Sequence, residues 1–441
     1  MAVLRSAGFD PVAVDTSVSP LTDEAIGAAR LVAIAVPMHT ALRLGTAVAE
    51  RVRRVNPGAH IAFFGLYATL NADHLLDGRG DSVCSGEIEA ALLALTETLE
   101  REGDPSGIPG IGTRQHPAEP ILTPLPDPLR ELVPVRETLP ELKQYAGMAQ
   151  DGIIVRAGAI EATRGCHHTC LHCPIPPIYG GKFVVVPRPV VVADARQQIA
   201  LGARHLTFTD PDFFNGPSHG LRIMRELREE YPWLTFDATI KVEHLLEHAS
   251  RLTELAELGC IFVVSAVESL DDEVLRQLDK GHTRADIEHA LAHLDGVGIA
   301  MRPSLLPFTP WETLAGYRAI VQWVAEQDLA TCVDPVMLAI RLLLPPGSSL
   351  LEANADAPWL GALDAANYTY RWTHPDPRMD ELHRQVSVIA EDAANLNEAP
   401  QRILQRIWNA AHEAAGEAAP PLPAPVKKRP AAPGLTESWF C

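Results

Sequence analysis

Apolar runs alternate with stretches of helical spacing along most of the chain, and the style of alternation divides it into segments. In residues 1–103 the apolar runs 31–37 and 61–66 are followed by stretches with helical periodicity at 41–55 and 87–102, which predicts a small parallel α/β layer. Residues 104–150 lose both periodicities and carry prolines at 105, 109, 117, 120, 124, 126, 128, 134 and 140, the composition of a linker lying on the surface.

From 151 to 350 strand-like and helix-like runs alternate repeatedly. The strand-like runs are 157–163, 205–209, 235–240, 261–267, 300–306 and 335–343, with helical patterns at 192–201, 220–230, 245–258, 284–294 and 314–326. Right-handed crossovers turn such a pattern into parallel strands of an open or partial barrel. In such folds the chemistry sits on loops after the strands' carboxyl ends, so the loop after the first strand is the first to inspect. Residues 351–415 read as a helical extension, with helices at 377–395 and 400–415, and 416–441 as a flexible Pro/Ala-rich tail.

Composition narrows the function. The net charge of −19 is spread along the chain and Lys/Arg forms no stripe, which argues against a nucleic-acid partner. No stretch approaches the ~18 apolar residues of a membrane span, and the N-terminus lacks a secretory pattern. The expectation is a cytoplasmic protein without membrane contact. Seven cysteines are too few and too uneven for a disulfide framework, and Cys166, Cys170 and Cys173 crowd together. In a reducing compartment that crowding points to a metal.

The first barrel strand runs into Arg164-Gly165-Cys166-His167-His168-Thr169-Cys170-Leu171-His172-Cys173-Pro174. Three thiolates on one short loop suit three irons of a cubane cluster and leave the fourth iron open for a small chelating ligand. Zinc held by some of these cysteines and His167, His168 or His172 is the competing reading, and free thiols in a turn is a third. No second CxxC or HxxxH is present to complete a structural zinc tetrahedron.

This loop, placed after strand one, resembles the signature of the radical S-adenosylmethionine (SAM) superfamily. The resemblance implies a partial (β/α)6 TIM-like barrel holding a 4Fe-4S cluster on Cys166, Cys170 and Cys173. It also implies SAM bound at the open iron and split by one electron to methionine and a 5'-deoxyadenosyl radical. A small-molecule substrate and an electron donor such as flavodoxin or ferredoxin follow as partners.

Other residues are assigned with it. The segment Thr209 to Asn215 resembles the family stretch near the SAM amino group, where Asp210 and Asp212 would accept hydrogen bonds; helix capping by these aspartates is the plainer alternative. Lys241 and Glu243 would reach the ribose, or form a solvated pair. Glu268 ends an apolar strand and is similar to a family carboxylate aimed at SAM, an uneconomical place for a charge without a partner. Arg302 and Arg341 are further candidates for the SAM carboxylate or the substrate. Leu278-Asp279-Lys280-Gly281-His282-Thr283 resembles another loop of the superfamily, although Gly281 also suits a helix end. The run Val184-Val185-Val186 reads as core or barrel edge.

The first 103 residues resemble the Rossmann-like cobalamin-binding domain that precedes the barrel in one radical SAM class. Phe63-Phe64-Gly65-Leu66 looks like its Gly-rich turn and Ser85-Gly86-Glu87 like its closing motif. Cobalamin is therefore a candidate third cofactor. There is no DxHxxG to offer a cobalt ligand, and Met1 falls where a first strand would already be under way. At the other end, Leu435-Thr436-Glu437-Ser438-Trp439-Phe440-Cys441 resembles the tail of the radical SAM family named for a CUAEP or CCAEP ending, where U is selenocysteine. That resemblance makes Cys441, with Glu268, a candidate catalytic residue. It also implies that the natural protein continues past Cys441 through a selenocysteine, an expectation that the codon after 441 tests.

The leading expectation is radical chemistry on a small molecule in a natural-product or metalloid pathway, with cobalamin-dependent methyl transfer second. A non-catalytic iron-sulfur or zinc scaffold or sensor is the reading from another class.

Overall fold

The computed structural model describes residues 1–123, 125–127, 129–396 and 398–436. The N-terminal layer is built on strands β1 (Leu31–Ala35), β2 (His60–Phe64), β3 (Ser82–Cys84) and β4 (Ile111–Gly112). The first three are parallel neighbours in that order, and β4 pairs antiparallel with β3. Helices 39–55 and 88–100 cover the sheet, and Ile34, Leu42, Val52, Ile61 and Phe63 fill its core. Only helices Ala2–Ser6 and Asp23–Ala28 precede β1, and β1 is the edge of the sheet. The stretch read as a surface linker contributes β4 and ends in β5 (Gly147–Gln150), which turns back antiparallel onto the barrel.

The barrel follows with β6 (Ile153–Ile160), β7 (Thr163–Gly165), β8 (Phe183–Val185), β9 (His205–Phe208), β10 (Thr235–Thr239), β11 (Cys260–Glu268) and β12 (Ala300–Leu305). Strands β6, β9, β10, β11 and β12 are parallel and adjacent in chain order. They form one curled half-barrel sheet with helices on the outside. The large core lies between sheet and helices, with Phe208, Phe213, Phe236, Val263, Tyr317 and Trp323 buried in it.

The structure corrects two expectations. The run 335–343 is no full strand: Pro335–Leu338 forms a 3₁₀ turn, and a single parallel bridge between Phe308 and Arg341 is what exists of a sixth strand. An apolar run of this length looks alike whether a ladder or a covering helix buries it; here Pro377–Leu396 packs over it. After a small hairpin, β13 (Leu360–Asp364) with β14 (Thr369–Trp372), helices 377–396 and 400–414 complete the extension.

The tail, expected to be flexible, is laid along the barrel as far as Thr436. The Val426 amide donates to the Glu326 carbonyl at 2.8 Å, and the Arg429 guanidinium grips Asp295 at 2.6 Å. Strand β15 (Gly434–Leu435) then pairs antiparallel with β5. Since β5 is itself antiparallel to β6, β15 runs in the direction of the barrel strands. On its other side Arg302 of β12 donates to the Pro433 carbonyl at 3.3 Å, and a Cβ on Gly434 would fall 2.7 Å from that guanidinium. The tail strand thus fills the seam between the two edges of the curled sheet, with Leu435 against Met148, Ala157 and Phe262.

Candidate functional site

The cysteine loop is an excursion gripped at its base. β7 and β8 pair antiparallel on either side of it, so Val184 and Val185 serve as the closing rung rather than as core. Gly165 has φ +79° and no room for a side chain, since a Cβ would lie 2.5 Å from the Tyr179 ring and 2.6 Å from the Lys182 carbonyl. Asn215 brackets the turn, accepting the His167 amide at 3.1 Å and donating to the Gly165 carbonyl at 3.2 Å. The Leu171 amide donates to the Leu278 carbonyl at 3.0 Å, tying the loop to the 278–283 turn.

Cys166 lies within electrostatic reach of Cys170, Asp212 and Lys241, and Cys173 within reach of Cys170, Cys166 and Lys280; burial pushes their thiols up to about 11 and about 12. Without metal these two thiols are therefore protonated, and a metal binding them displaces protons. The donor set suits iron-sulfur ligation, since three soft sulfurs stand on one short loop, while the described side chains that already sit close enough together to hold a metal ion are His168, Asp212 and His244.

Charged groups surround the thiols. Glu268, at the carboxyl end of β11, is buried, and its Oε1 lies 3.3 Å from Lys280 Nζ and 3.5 Å from His172 Nε2. Burial alone would raise this carboxyl; Lys280 and His172 outweigh it and hold it at about 2. On the other flank Lys241 Nζ contacts Glu243 at 2.8 Å and His168 Nδ1 at 3.1 Å. Burial and the Lys241 charge lower His168 to about 4, so its imidazole is neutral near pH 7. Gly281, at φ +71°, lies against Glu243, where a Cβ would come within 2.7 Å of the carboxylate. That close approach, rather than helix capping alone, explains glycine at this position.

The remaining sequence candidates are placed as follows. Asp210 turns both oxygens to the base of the cysteine loop, accepting the Ala162 amide at 2.8 Å and the Thr163 hydroxyl at 2.6 Å. Asp212 caps the turn at Phe214, accepts the Lys241 amide at 3.1 Å and faces His244 Nδ1 at 3.0 Å. Both aspartates are thus engaged by the protein. Arg302 pairs with Asp334 at 3.0 Å beneath the tail strand, and Arg341 stacks 3.6 Å above Trp372 and pairs with Asp380 at 2.7 Å. Neither arginine is brought to the cysteines. Cys441 lies outside the described residues. Reasoning from sequence missed Lys280 and His244 as parts of the site; the lysine between Asp279 and Gly281 looks like an ordinary solvated turn, and its place in a loop resembling a superfamily motif was the available signal.

The N-terminal layer meets this loop directly. Glu87, just after β3, accepts from the Arg164 guanidinium at 2.8 Å and from the Tyr179 hydroxyl at 2.9 Å, and Glu89 pairs with the same guanidinium at 2.6 Å. Leu66 and Leu70, after β2, pack on Ile175, Ile178 and Tyr179. The carboxyl ends of the N-terminal strands therefore face the cysteine loop.

A curled parallel half-barrel thus carries a three-cysteine loop after its first strand. Residues 160–317 match the Radical SAM superfamily. It is 26% identical to the hopanoid C-3 methylase of Methylococcus capsulatus over 265 residues, covering 59% of this chain and 50% of the relative. It is 25% identical to the ribosomal protein uS12 methylthiotransferase RimO of Natranaerobius thermophilus over 178 residues, 38% of this chain and 39% of the relative. The chain thus spans half or less of the length of these relatives. In fold it is similar to TsrM, a radical SAM methyltransferase from Kitasatospora setae solved with tryptophan and a SAM analogue (TM-score 0.61, 20% identity, 83% of this chain and 78% of that one). It is also similar to OxsB, a cobalamin-dependent SAM radical enzyme (TM-score 0.62, 13% identity, 86% and 62%). No helix among the described residues is long and apolar enough to cross a membrane.

Proposed function

We propose that the protein uses a 4Fe-4S cluster on Cys166, Cys170 and Cys173 to cleave SAM and act on a small molecule. The observation that carries this reading is the placing of three buried or half-buried thiols on one loop, gripped at its base by the β7–β8 pair, at the carboxyl end of the first barrel strand. A bound cluster supplies the electron that splits SAM. The chain's own part is to position and shield: Asn215, Asp210 and the β7–β8 rung fix the loop, while Glu268 and the Lys241–Glu243 pair offer charge to the ammonium and hydroxyl groups of a nucleoside-amino acid ligand. A low-potential one-electron donor is required.

The test is anaerobic reconstitution followed by incubation with SAM and reductant. Iron, sulfide and 5'-deoxyadenosine are expected from the wild type; iron retained undiminished when all three cysteines become alanine refutes the reading.

A second reading, cobalamin-dependent methyl transfer, is favoured by one observation: the carboxyl ends of β2 and β3 abut the cysteine loop through Glu87–Arg164 and Leu70–Tyr179, so a cofactor bound at those strand ends would lie beside the first. In this layer His39 bonds the Asn367 carbonyl and His60 bonds Ser82, while His74 packs on Tyr368 with its Nε2 buried and without a hydrogen-bond partner. A corrinoid spectrum and S-adenosylhomocysteine after cobalamin loading support this reading; a protein that retains no corrinoid and forms only 5'-deoxyadenosine rules it out.

A further inference from the structure

We propose that Lys280 is the fixed positive charge that poises the electron affinity of the cluster on Cys166, Cys170 and Cys173, and that Glu268 sets how much of that charge the cluster feels. This inference rests on the cluster reading above and assigns two of the chain's own side chains to it.

Lys280 sits in the turn between helices Asp272–Gln277 and Arg284–Val297, and that turn is stitched to the cysteine loop by the Leu171 amide on the Leu278 carbonyl. Its side chain is 3% exposed, and its one described partner, Glu268 Oε1, stands off at 3.3 Å. Charge-assisted N–H···O bonds usually close to about 2.7–2.9 Å. An ammonium this deep with one long partner keeps much of its field for other neighbours, and Cys170 and Cys173 are among the charges that act on it.

Glu268 is placed with matching care. It has φ +64°, in the left-handed region that a glutamate adopts at a cost of about 1–3 kcal/mol, at an irregularity where β11 slips against β12 between Ala266 and Glu268. The backbone departs from strand geometry where the carboxylate meets Lys280 and His172. A plain structural ion pair is a weak explanation, since a buried pair seldom stabilises a fold more than apolar side chains of the same volume. Beside a cluster the pair has another use. Each electron added makes the cluster more negative, so a nearby cation favours the reduced state and a nearby anion disfavours it, an effect that low local dielectric enlarges.

The experiment is an EPR-monitored redox titration of the reconstituted full chain without SAM, with iron and sulfide assayed in each sample. Dithionite delivers the single electron that takes the cluster from its 2+ to its 1+ state. With cluster content unchanged, Lys280→Met is expected to move the midpoint to more negative potential, Glu268→Gln to less negative potential, and Lys280→Arg to stay near wild type. A merely structural pair would not give shifts of opposite sign. An unmoved midpoint in a fully loaded Lys280→Met protein, or a Glu268→Gln shift in the same direction as Lys280→Met, overturns the proposal. Should Lys280→Met fail to hold a cluster, Glu268→Gln decides, and an unmoved midpoint there overturns it too. A wild type that binds no iron sinks the cluster reading and this one with it, whereas a loaded wild type whose midpoint ignores both residues sinks this one alone.

Discussion

The Arg164 guanidinium lies 2.8 Å from the Glu87 carboxylate, so the residue two places before the first cysteine of the loop is bonded to the turn that closes the N-terminal layer. Glu161 and Glu89 share the same guanidinium, each at 2.6 Å. One cation thus serves three carboxylates. Replacing Arg164 by Met strands Glu87, which is buried, and is expected to cost roughly 3–5 kcal/mol, the range for breaking one side of a buried pair. Thermal unfolding of R164M, E87Q and the double variant checks it: the double variant should recover part of the loss, and strictly additive losses would contradict the contact.

Asn215 holds the cysteine turn from both ends through His167 and Gly165. Asn215→Ala should leave the fold intact but speed release of iron to a chelator several-fold, consistent with ~1–2 kcal/mol for two lost hydrogen bonds. Bleaching of the cluster absorbance against time is the measurement, and wild-type kinetics would refute it.

Glu312 is buried beside the barrel mouth, bonded to the Ser269 hydroxyl at 2.8 Å and the Thr313 amide at 3.0 Å, and burial pushes its carboxyl up to about 7 from 4.5. Because the folded value lies above the unfolded one, the neutral form favours folding. That contribution is present below pH ~4.5 and is lost as pH rises through 7. Glu312→Gln should therefore be more stable than wild type at pH 8, by at most on the order of 3 kcal/mol, with the advantage fading toward pH 5. Asp210, also pushed up to about 7 by burial, tilts both curves alike, so the difference between them isolates Glu312. Parallel curves from pH 5 to 8.5 would dismiss the assignment.

Cutting the chain after residue 425 removes Arg429 from Asp295, the Pro433 carbonyl from Arg302, and β15 from β5. Roughly 2–4 kcal/mol of stability should go with the lost apolar burial and charge-assisted bonds. Two sheet edges also become free to pair with other chains. A lower unfolding temperature and concentration-dependent association are expected; an unchanged melt would show that the tail merely rests on the barrel.

The sequence made the cysteine loop legible because a short-range spacing carries the chemistry. The strand-like runs 205–209, 235–240 and 300–306 reappear as β9, β10 and β12 because each is brief and bounded by turn residues. What was hidden depends on distant partners. Arg302 and Arg341 read as ligand-binding candidates at strand ends, and the partners the structure gives them, Asp334, Asp380 and Trp372, come from segments that their local sequence does not reveal. The tail composition suggests mobility because the aspartate that anchors Arg429 lies far back in the chain, in the helix before β12. Lys280 was missed for a similar reason, since it is buried with a partner, Glu268, that lies on β11 and not among its neighbours in sequence.

The position of β15 also orders events during synthesis. A nascent chain that has released all five parallel strands still gapes between β5 and β12, and only the emergence of residues 426–435 can zip that gap. Until then the inner wall stays reachable from the side, so iron and sulfide delivered early would enter a barrel that has yet to shut.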